Sequence, residues 1–363
     1  MTPTNESKYY PPLTDGFGRR HTSLRISVTD RCNIRCFYCM PEENVRFRPR
    51  EELLTFEEVE QVAAVMLRLG VTKFRLTGGE PLVRANLPNL VQRLASLPGL
   101  TDLALTTNGI LLADQAPALK AAGLRRLNIS LDALDAEAFR RIARRDGLEQ
   151  VLEGIETARQ LGFEKIRLNA VAIRGITEVQ LLPLARFARE RDLELRFIEF
   201  MPLDAESRWD NSQVMSGVEI RQCLEAEFGP LIPAPRPDPS QPATDFLFHD
   251  GRGRIGLIHP VTQPFCGDCN RLRITAEGKL RNCLFSTAEW DLRELLRAGT
   301  RENVVHGSVH RFAAASSAGI ADSEQEAAMI ARIRQCVAAK KPGHGIDTPE
   351  FIRPERAMYQ IGG

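Results

Sequence analysis

The chain has 363 residues, 43% hydrophobic and 26% charged, which excludes wholesale disorder and suits two domains or one barrel with an extension. Its 48 basic and 47 acidic residues leave a net charge of +1, so the basic coat of a general nucleic-acid binder is missing. No run of about 18 apolar residues marks a membrane span, and the polar first twenty residues lack the apolar stretch of a secretory signal.

From Ser23 to Phe200 short apolar or β-branched runs alternate with stretches of helical period. The pattern predicts strands at Leu24–Thr29, Lys73–Thr77, Asp102–Thr106, Leu127–Leu131, Ile166–Ala172 and Glu194–Phe200. It predicts helices at Phe56–Leu69, Leu111–Ala122, Ala136–Arg144, Leu148–Leu161 and Val179–Arg191, with stop signals at Gly70, Gly123 and Gly162. Strands alternating with helices imply a parallel sheet, and six units fit a partial (β/α)6 TIM-like barrel of the α/β class.

After Phe228 the character changes. Gly229 to Pro242 holds six prolines, which predicts a stiff, extended connector. Beyond it, short strands are expected at Asp245–His249, Arg254–His259 and Leu272–Thr275, and helices at Ala288–Leu296 and Glu324–Ala339. The expected division is a core at 17–242 and a smaller C-terminal α+β module at 243–363.

Eight cysteines are present, six of them in two tight groups. Without an export signal they read as metal or cluster ligands before disulfides. Cys32-Asn-Ile-Arg-Cys36-Phe-Tyr-Cys39 follows the first predicted strand, at the end of a β/α barrel where catalytic loops sit. Three thiolates without an adjacent His fall short of a closed zinc site but leave one iron of a four-iron cluster open for chemistry. Cys266-Gly-Asp-Cys269 with Cys283 repeats the count in the second module. The alternatives are a zinc site completed from a distance, or one structural site sharing all six thiols. Cys223 and Cys336 fit neither spacing and are expected to be buried small hydrophobes.

The stretch Arg25-Ile-Ser-Val-Thr-Asp-Arg-Cys32 through Cys39-Met-Pro41 resembles the radical S-adenosylmethionine enzymes, and within them the GTP 3′,8-cyclases of molybdenum cofactor biosynthesis. The resemblance runs from about Leu24 to the C-terminus. It implies two 4Fe-4S clusters held by Cys32, Cys36, Cys39 and by Cys266, Cys269, Cys283, with S-adenosylmethionine on the open iron of the first. It implies cleavage of S-adenosylmethionine to a 5′-deoxyadenosyl radical, removal of the ribose 3′ hydrogen of GTP, and attack of the sugar radical on guanine carbon 8. The second cluster would take the guanine base.

The same resemblance assigns Tyr38, Gly79, Ser130 and Met201 to S-adenosylmethionine. Gly79 lies in Arg75-Leu-Thr-Gly-Gly-Glu-Pro81, where adjacent glycines permit close backbone approach. It assigns Arg25, Arg75, Thr106, Arg167, Arg271, Leu272 and Arg273 to GTP. Arg167 stands where the family usually has Lys, and donor geometry differs between the two. The sequence has 41 Arg against 7 Lys and no Walker loop, so a triphosphate would need arginine forks. Arg271 and Arg273 alternate, which places both on one side of a strand.

The resemblance also brings Gly362 and Gly363 into the catalytic set with Arg271 and Arg273, whereas read alone a terminal Gly-Gly is a flexible end. His306 and His310 share a helical spacing without a third ligand and read as structural. The expected partners are GTP, an electron donor of the flavodoxin or ferredoxin kind (dithionite in vitro) and the downstream cyclic pyranopterin monophosphate synthase. The expected state is a cytoplasmic homodimer that binds neither nucleic acid nor membrane. Two rival readings remain: a radical S-adenosylmethionine peptide maturase with an auxiliary cluster, and a non-catalytic zinc or iron–sulfur scaffold.

Overall fold

The computed structural model describes residues 10–298 and 323–362; His306, His310 and Gly363 lie outside the described residues. In chain order the first half runs β1 (Ser23–Ser27), α1 (Phe56–Arg68), β2 (Lys73–Thr77), α2 (Leu87–Ala95), β3 (Asp102–Thr107), α3 (Leu112–Ala121), β4 (Arg126–Ser130), α4 (Ala136–Ala143), α5 (Leu148–Gln160), β5 (Lys165–Ala172), α6 (Leu181–Glu190) and β6 (Glu194–Glu199). All six expected strands are present. The helix α2 was missed although Leu87, Leu90, Val91 and Leu94 mark one buried face.

The second half contains α7 (Gly217–Phe228), β7 (Ile232–Pro233), β8 (Ala243–Leu247), β9 (Arg254–Ile258), β10 (Arg271–Ile274), β11 (Lys279–Arg281), β12 (Trp290–Asp291), α8 (Arg293–Ala298), α9 (Ser323–Ala338) and α10 (Met358–Ile361). The proline-rich connector is extended over its first part, where Ile232–Pro233 forms the outermost strand and a missing N–H does no harm, but it turns at Asp238–Gln241, where Gln241 N–H donates to the Asp238 carbonyl at 3.1 Å. The helix expected over Ala288–Leu296 is corrected. Trp290 and Asp291 pair with Leu280 and Lys279 as strand β12, and the helix starts only at Arg293. Covering the edge of β11 outweighs local helical period there.

One sheet joins all twelve strands in the order β12-β11-β10-β1-β2-β3-β4-β5-β6-β9-β8-β7. From β10 through β1–β6 to β9 every pairing is parallel. The six-strand partial barrel is therefore as expected, but the C-terminal strands extend it on both sides. β10 pairs with β1 and β9 with β6, so neither edge of the six-stranded core is left bare. β9 and β10 do not pair with each other, and the barrel stays open between them.

Alternation of side chains separates core from cavity. Leu24, Ile26, Phe74, Leu76, Leu105, Leu127, Ile129, Leu168, Leu195 and Phe197 point outward and pack with Val62, Met66, Leu90, Leu94, Val151 and Leu184 of the helices. Their neighbours, Arg25, Arg75, Thr106, Asn128, Asn169, Arg196 and Arg273, point inward and line one cavity. Thr55 opens α1 with a reciprocal capping box to Glu58, which sets where the β1–α1 loop ends.

Candidate active site

The loop after β1 carries the first cysteine group. Arg35 N–H donates to the Ala143 carbonyl at 2.9 Å and Phe37 N–H to that of Ile142 at 3.1 Å, which pins the loop on the end of α4. Cys39 and Met40 N–H both donate to the Cys36 carbonyl, turning the chain so that Cys32, Cys36 and Cys39 all reach the cavity wall. All three are free thiols. Burial pushes Cys32 up to about 11, and Cys36 and Cys39 are also raised, first by burial and then by neighbouring negative charge. Thiols so placed ionise only when a cation takes up their charge, which is the donor chemistry an iron cluster requires. Among the described residues no three Cys, His, Asp or Glu converge tightly enough to hold a single metal ion.

The second strand loop locks against the first. A Cβ on Gly78 would come within 2.6 Å of the Thr29 carbonyl oxygen, and one on Gly79 within 2.5 Å of that of Arg31. The close approach allowed by the two glycines is thus to the cysteine loop itself, while Gly79 also faces the cavity. Glu80 behind them is buried and accepts from Thr107 Oγ1 at 2.7 Å, Leu82 N–H at 2.9 Å and Asn108 N–H at 2.6 Å. Burial lifts its carboxyl to about 7 against these three bonds. Asn108 in turn donates to Asn33 Oδ1 at 2.7 Å, with Cys32 Sγ at 3.7 Å.

Tyr38, Ser130 and Met201 line the same cavity. Tyr38 Oη donates to Asp132 Oδ2 at 2.6 Å, and Val171 N–H donates to Asp132 Oδ1 at 2.7 Å. Burial raises the Asp132 carboxyl to about 6. Asp132 was not foreseen, nor were the inward residues Asn128, Asn169 and Arg196. A signal existed for the two asparagines: each is a polar residue between apolar neighbours in a strand with helices against its outer face.

The opposite wall is basic. Arg273, Arg25 and Arg75 occupy one register level across β10, β1 and β2. Adjacent strands lie roughly 4.8 Å apart, so three guanidinium stems stand side by side. Arg271 lines the same wall, two residues before Arg273. Among the described residues none of the four forms a salt bridge with a carboxylate. Burial first, then neighbouring arginines, lower the Arg25 and Arg75 pKa values. Arg271 Nε, Thr106 Oγ1 and Thr77 Oγ1 are buried without a hydrogen-bond partner. Unpaired buried cations and orphaned donors are costly unless an anion completes them.

Arg167 is different. It shares a register level with Asn128, but its Nε is bound to Glu194 Oε1 at 2.7 Å and it is not on the cavity wall. Glu194 also pairs with Lys165 and Arg196, so Arg167 belongs to an ion-paired network beneath the cavity in which one carboxylate holds three cations. Leu272 has its side chain fully buried on the helix-facing side of β10, which leaves its backbone to face the site.

The second cysteine group borders this basic wall. Cys266 opens a single helical turn, and Cys269 N–H donates to the Cys266 carbonyl at 3.2 Å just before β10. Cys283 follows β11. All three are free. Burial raises Cys266, whereas at Cys269 the Arg271 and Lys340 charges overcome burial and bring it down to about 6. Both trios therefore fit a thiolate-held cluster. Cys336 is buried as expected, but Cys223 on α7 is only partly so.

The C-terminal segment runs between the two groups. Tyr359 packs with Met40 and Cys39. Ile361 packs with Leu203 and Phe285 beside Cys283. Arg273 donates to the carbonyl of Gly362, which adopts φ +70°. Gly362 therefore reaches the basic wall.

Comparison with known proteins gives the same picture. Residues 26–188 match the Radical SAM superfamily and residues 193–318 match Molybdenum Cofactor Synthesis C. A GTP 3′,8-cyclase of Rhodopirellula baltica is 51% identical over 354 residues, covering 97% of this chain and 92% of that protein. One from Pelotomaculum thermopropionicum is 46% identical, covering 97% and 100%. Among solved structures, Streptococcus suis SuiB bound to S-adenosylmethionine superposes with a TM-score of 0.56 at 14% identity, covering 76% of this chain and 64% of SuiB, a likeness of fold alone. Among the described residues no helix is long and apolar enough to cross a membrane.

Proposed function

From its membership of the GTP 3′,8-cyclase family, to which this chain belongs within the radical SAM superfamily, we infer that the protein converts GTP to (8S)-3′,8-cyclo-7,8-dihydroguanosine 5′-triphosphate. This is the first step of molybdenum cofactor biosynthesis. Two 4Fe-4S clusters and S-adenosylmethionine are its cofactors. When bound, they would supply the electron that cleaves S-adenosylmethionine, the 5′-deoxyadenosyl radical that takes the ribose 3′ hydrogen so that the 3′ carbon can join guanine carbon 8, and the further electron that, with one proton, completes the dihydro product.

The chain's own residues bind, orient and enclose. Cys32, Cys36 and Cys39 would hold the first cluster, and Cys266, Cys269 and Cys283 the second. Tyr38, Gly79, Ser130 and Met201 would line the S-adenosylmethionine side of the cavity. Arg25, Arg75, Arg271 and Arg273 would take the triphosphate, each charged hydrogen bond contributing roughly 1.5–3 kcal/mol. Thr106 has a free hydroxyl for the substrate. Arg167 would act on the triphosphate only from beneath, through its neighbours. Gly362 would close the cavity, with Arg273 holding it in place, and Gly363 is proposed to share its catalytic role. Fixing GTP between the two trios aims one C–H bond at the radical and excludes other hydrogen donors.

The observation that carries this reading is the row Arg273–Arg25–Arg75, without carboxylate partners among the described residues, set between two trios of free cysteines. A peptide maturase has no use for such a triphosphate clamp, and a closed scaffold has none for vacant ligand positions. The proposal extends to a core at 17–242 with a C-terminal module at 243–363, a cytoplasmic homodimer, a flavodoxin- or ferredoxin-like donor, and delivery of the product to cyclic pyranopterin monophosphate synthase. The test is anaerobic incubation of reconstituted protein with S-adenosylmethionine and dithionite. GTP-dependent formation of 5′-deoxyadenosine together with the cyclised nucleotide is expected; formation indifferent to GTP would overturn the assignment.

A further inference from the structure

Lys340 lies just past the end of α9 and is 5% exposed. Its Nζ donates to the Arg271 carbonyl at 2.9 Å and stands 3.6 Å from Cys269 Sγ. Among the described residues it has no carboxylate partner. The sulfur that faces it is that of Cys269, with Cys283 nearby, and the charges around it on Arg271 and Arg19 are cations. A buried ammonium in such surroundings is unfavourable unless a stable negative charge faces it.

Its place is fixed from the far end of the chain. The Arg19 guanidinium donates to three carbonyls: Cys266 at 2.7 Å, Lys341 at 2.7 Å and Pro342 at 3.0 Å. Asp15 accepts from Arg19 Nε at 2.7 Å and contacts His21 Nε2 at 3.1 Å, so the carboxylate of this corner is already engaged. The N-terminal turn thus clamps the cysteine loop and the Lys340 segment together. Hydrogen bonds to cluster sulfurs and nearby charge set reduction potential, and partners of the ligands set affinity.

We propose that Lys340 is a positioning residue for the second metal centre: its ammonium donates to the Cys269 sulfur and holds that centre's reduction potential up, with Arg19 keeping it in register. The proposal rests on the second trio holding an iron–sulfur cluster. A positive charge beside a cluster favours the reduced, more negative state. Removing it makes the potential more negative and loosens the cluster.

The test uses the full-length chain with Cys32→Ala, Cys36→Ala and Cys39→Ala together, so that only the second trio binds iron. Iron and sulfide are counted after anaerobic reconstitution, and the midpoint potential is read by electron paramagnetic resonance during reductive titration. Lys340→Met is expected to shift the potential negative and to release iron faster to a chelator. Lys340→Arg, which keeps the charge should Lys340→Met fold poorly, is expected to stay near the parent. Lys341→Met, on an exposed neighbour, is the control and should change nothing. Equal potentials for Lys340→Met and the parent would overturn the role of Lys340. Absence of iron and sulfide with Lys340 intact would instead overturn the cluster at this trio, and the proposal with it.

Discussion

Arg25 on β1 stands directly beside Arg75 on β2 in the parallel register, and no carboxylate among the described residues neutralises either. Like charges placed side by side in a cavity destabilise the empty protein. Arg25→Met and Arg75→Met are therefore expected to leave the melting temperature unchanged or raise it. Loss of a charged hydrogen bond should weaken GTP binding by roughly 10- to 100-fold. Calorimetric titration with GTP and thermal unfolding of the same samples check both halves.

Arg167 should behave in the opposite way. It is tied to Glu194, which Lys165 and Arg196 also hold. Arg167→Met should lower the melting temperature, since a buried network loses a partner, while GTP affinity stays close to that of the parent. A large loss of GTP affinity at constant melting temperature would instead place Arg167 in direct contact with the triphosphate.

Gly362 adopts φ +70°, and an added Cβ would collide with Thr77 Oγ1. Gly362→Ala should force the tail out of the cavity. Formation of the cyclised nucleotide is expected to fall at least tenfold, a cost of about 1.4 kcal/mol or more, with little change in melting temperature. Limited proteolysis should show the segment after Arg356 becoming accessible.

Glu80 gives a pH signature. Burial holds its carboxyl at about 7 in the folded protein, against about 4.3 in an unfolded chain. Between these values the folded state binds more protons, so its contribution to stability is full below the lower value and is lost as pH rises through the upper one. In the cluster-free, reduced protein, the stability difference between the parent and Glu80→Gln should shrink as pH rises across that window. A difference independent of pH, measured by urea unfolding, would show that Glu80 is ionised throughout.

The two cysteine groups should fail separately. Cys36→Ser is expected to remove the iron of one cluster and abolish 5′-deoxyadenosine formation. Cys283→Ser should remove the other cluster's iron, keep some cleavage of S-adenosylmethionine and lose the cyclised product. Iron counts with product chromatography distinguish the two patterns.

Local pattern was enough for the strands β1 to β6, most of their helices and both cysteine groups. Each depends on periodicity or spacing within a short stretch of chain, which any fold must respect. The same holds for Arg271 and Arg273, whose alternation already placed them on one side of β10. Local pattern failed at Trp290–Asp291, where sheet closure outweighed helical period. Pairing of β10 with β1 put Arg273 beside Arg25, and the Arg19 clamp brought Lys340 to Cys269. These meetings join residues between 71 and 322 positions apart. They arise from strand register and barrel closure, which are properties of the whole packed chain, and no short stretch of residues contains them.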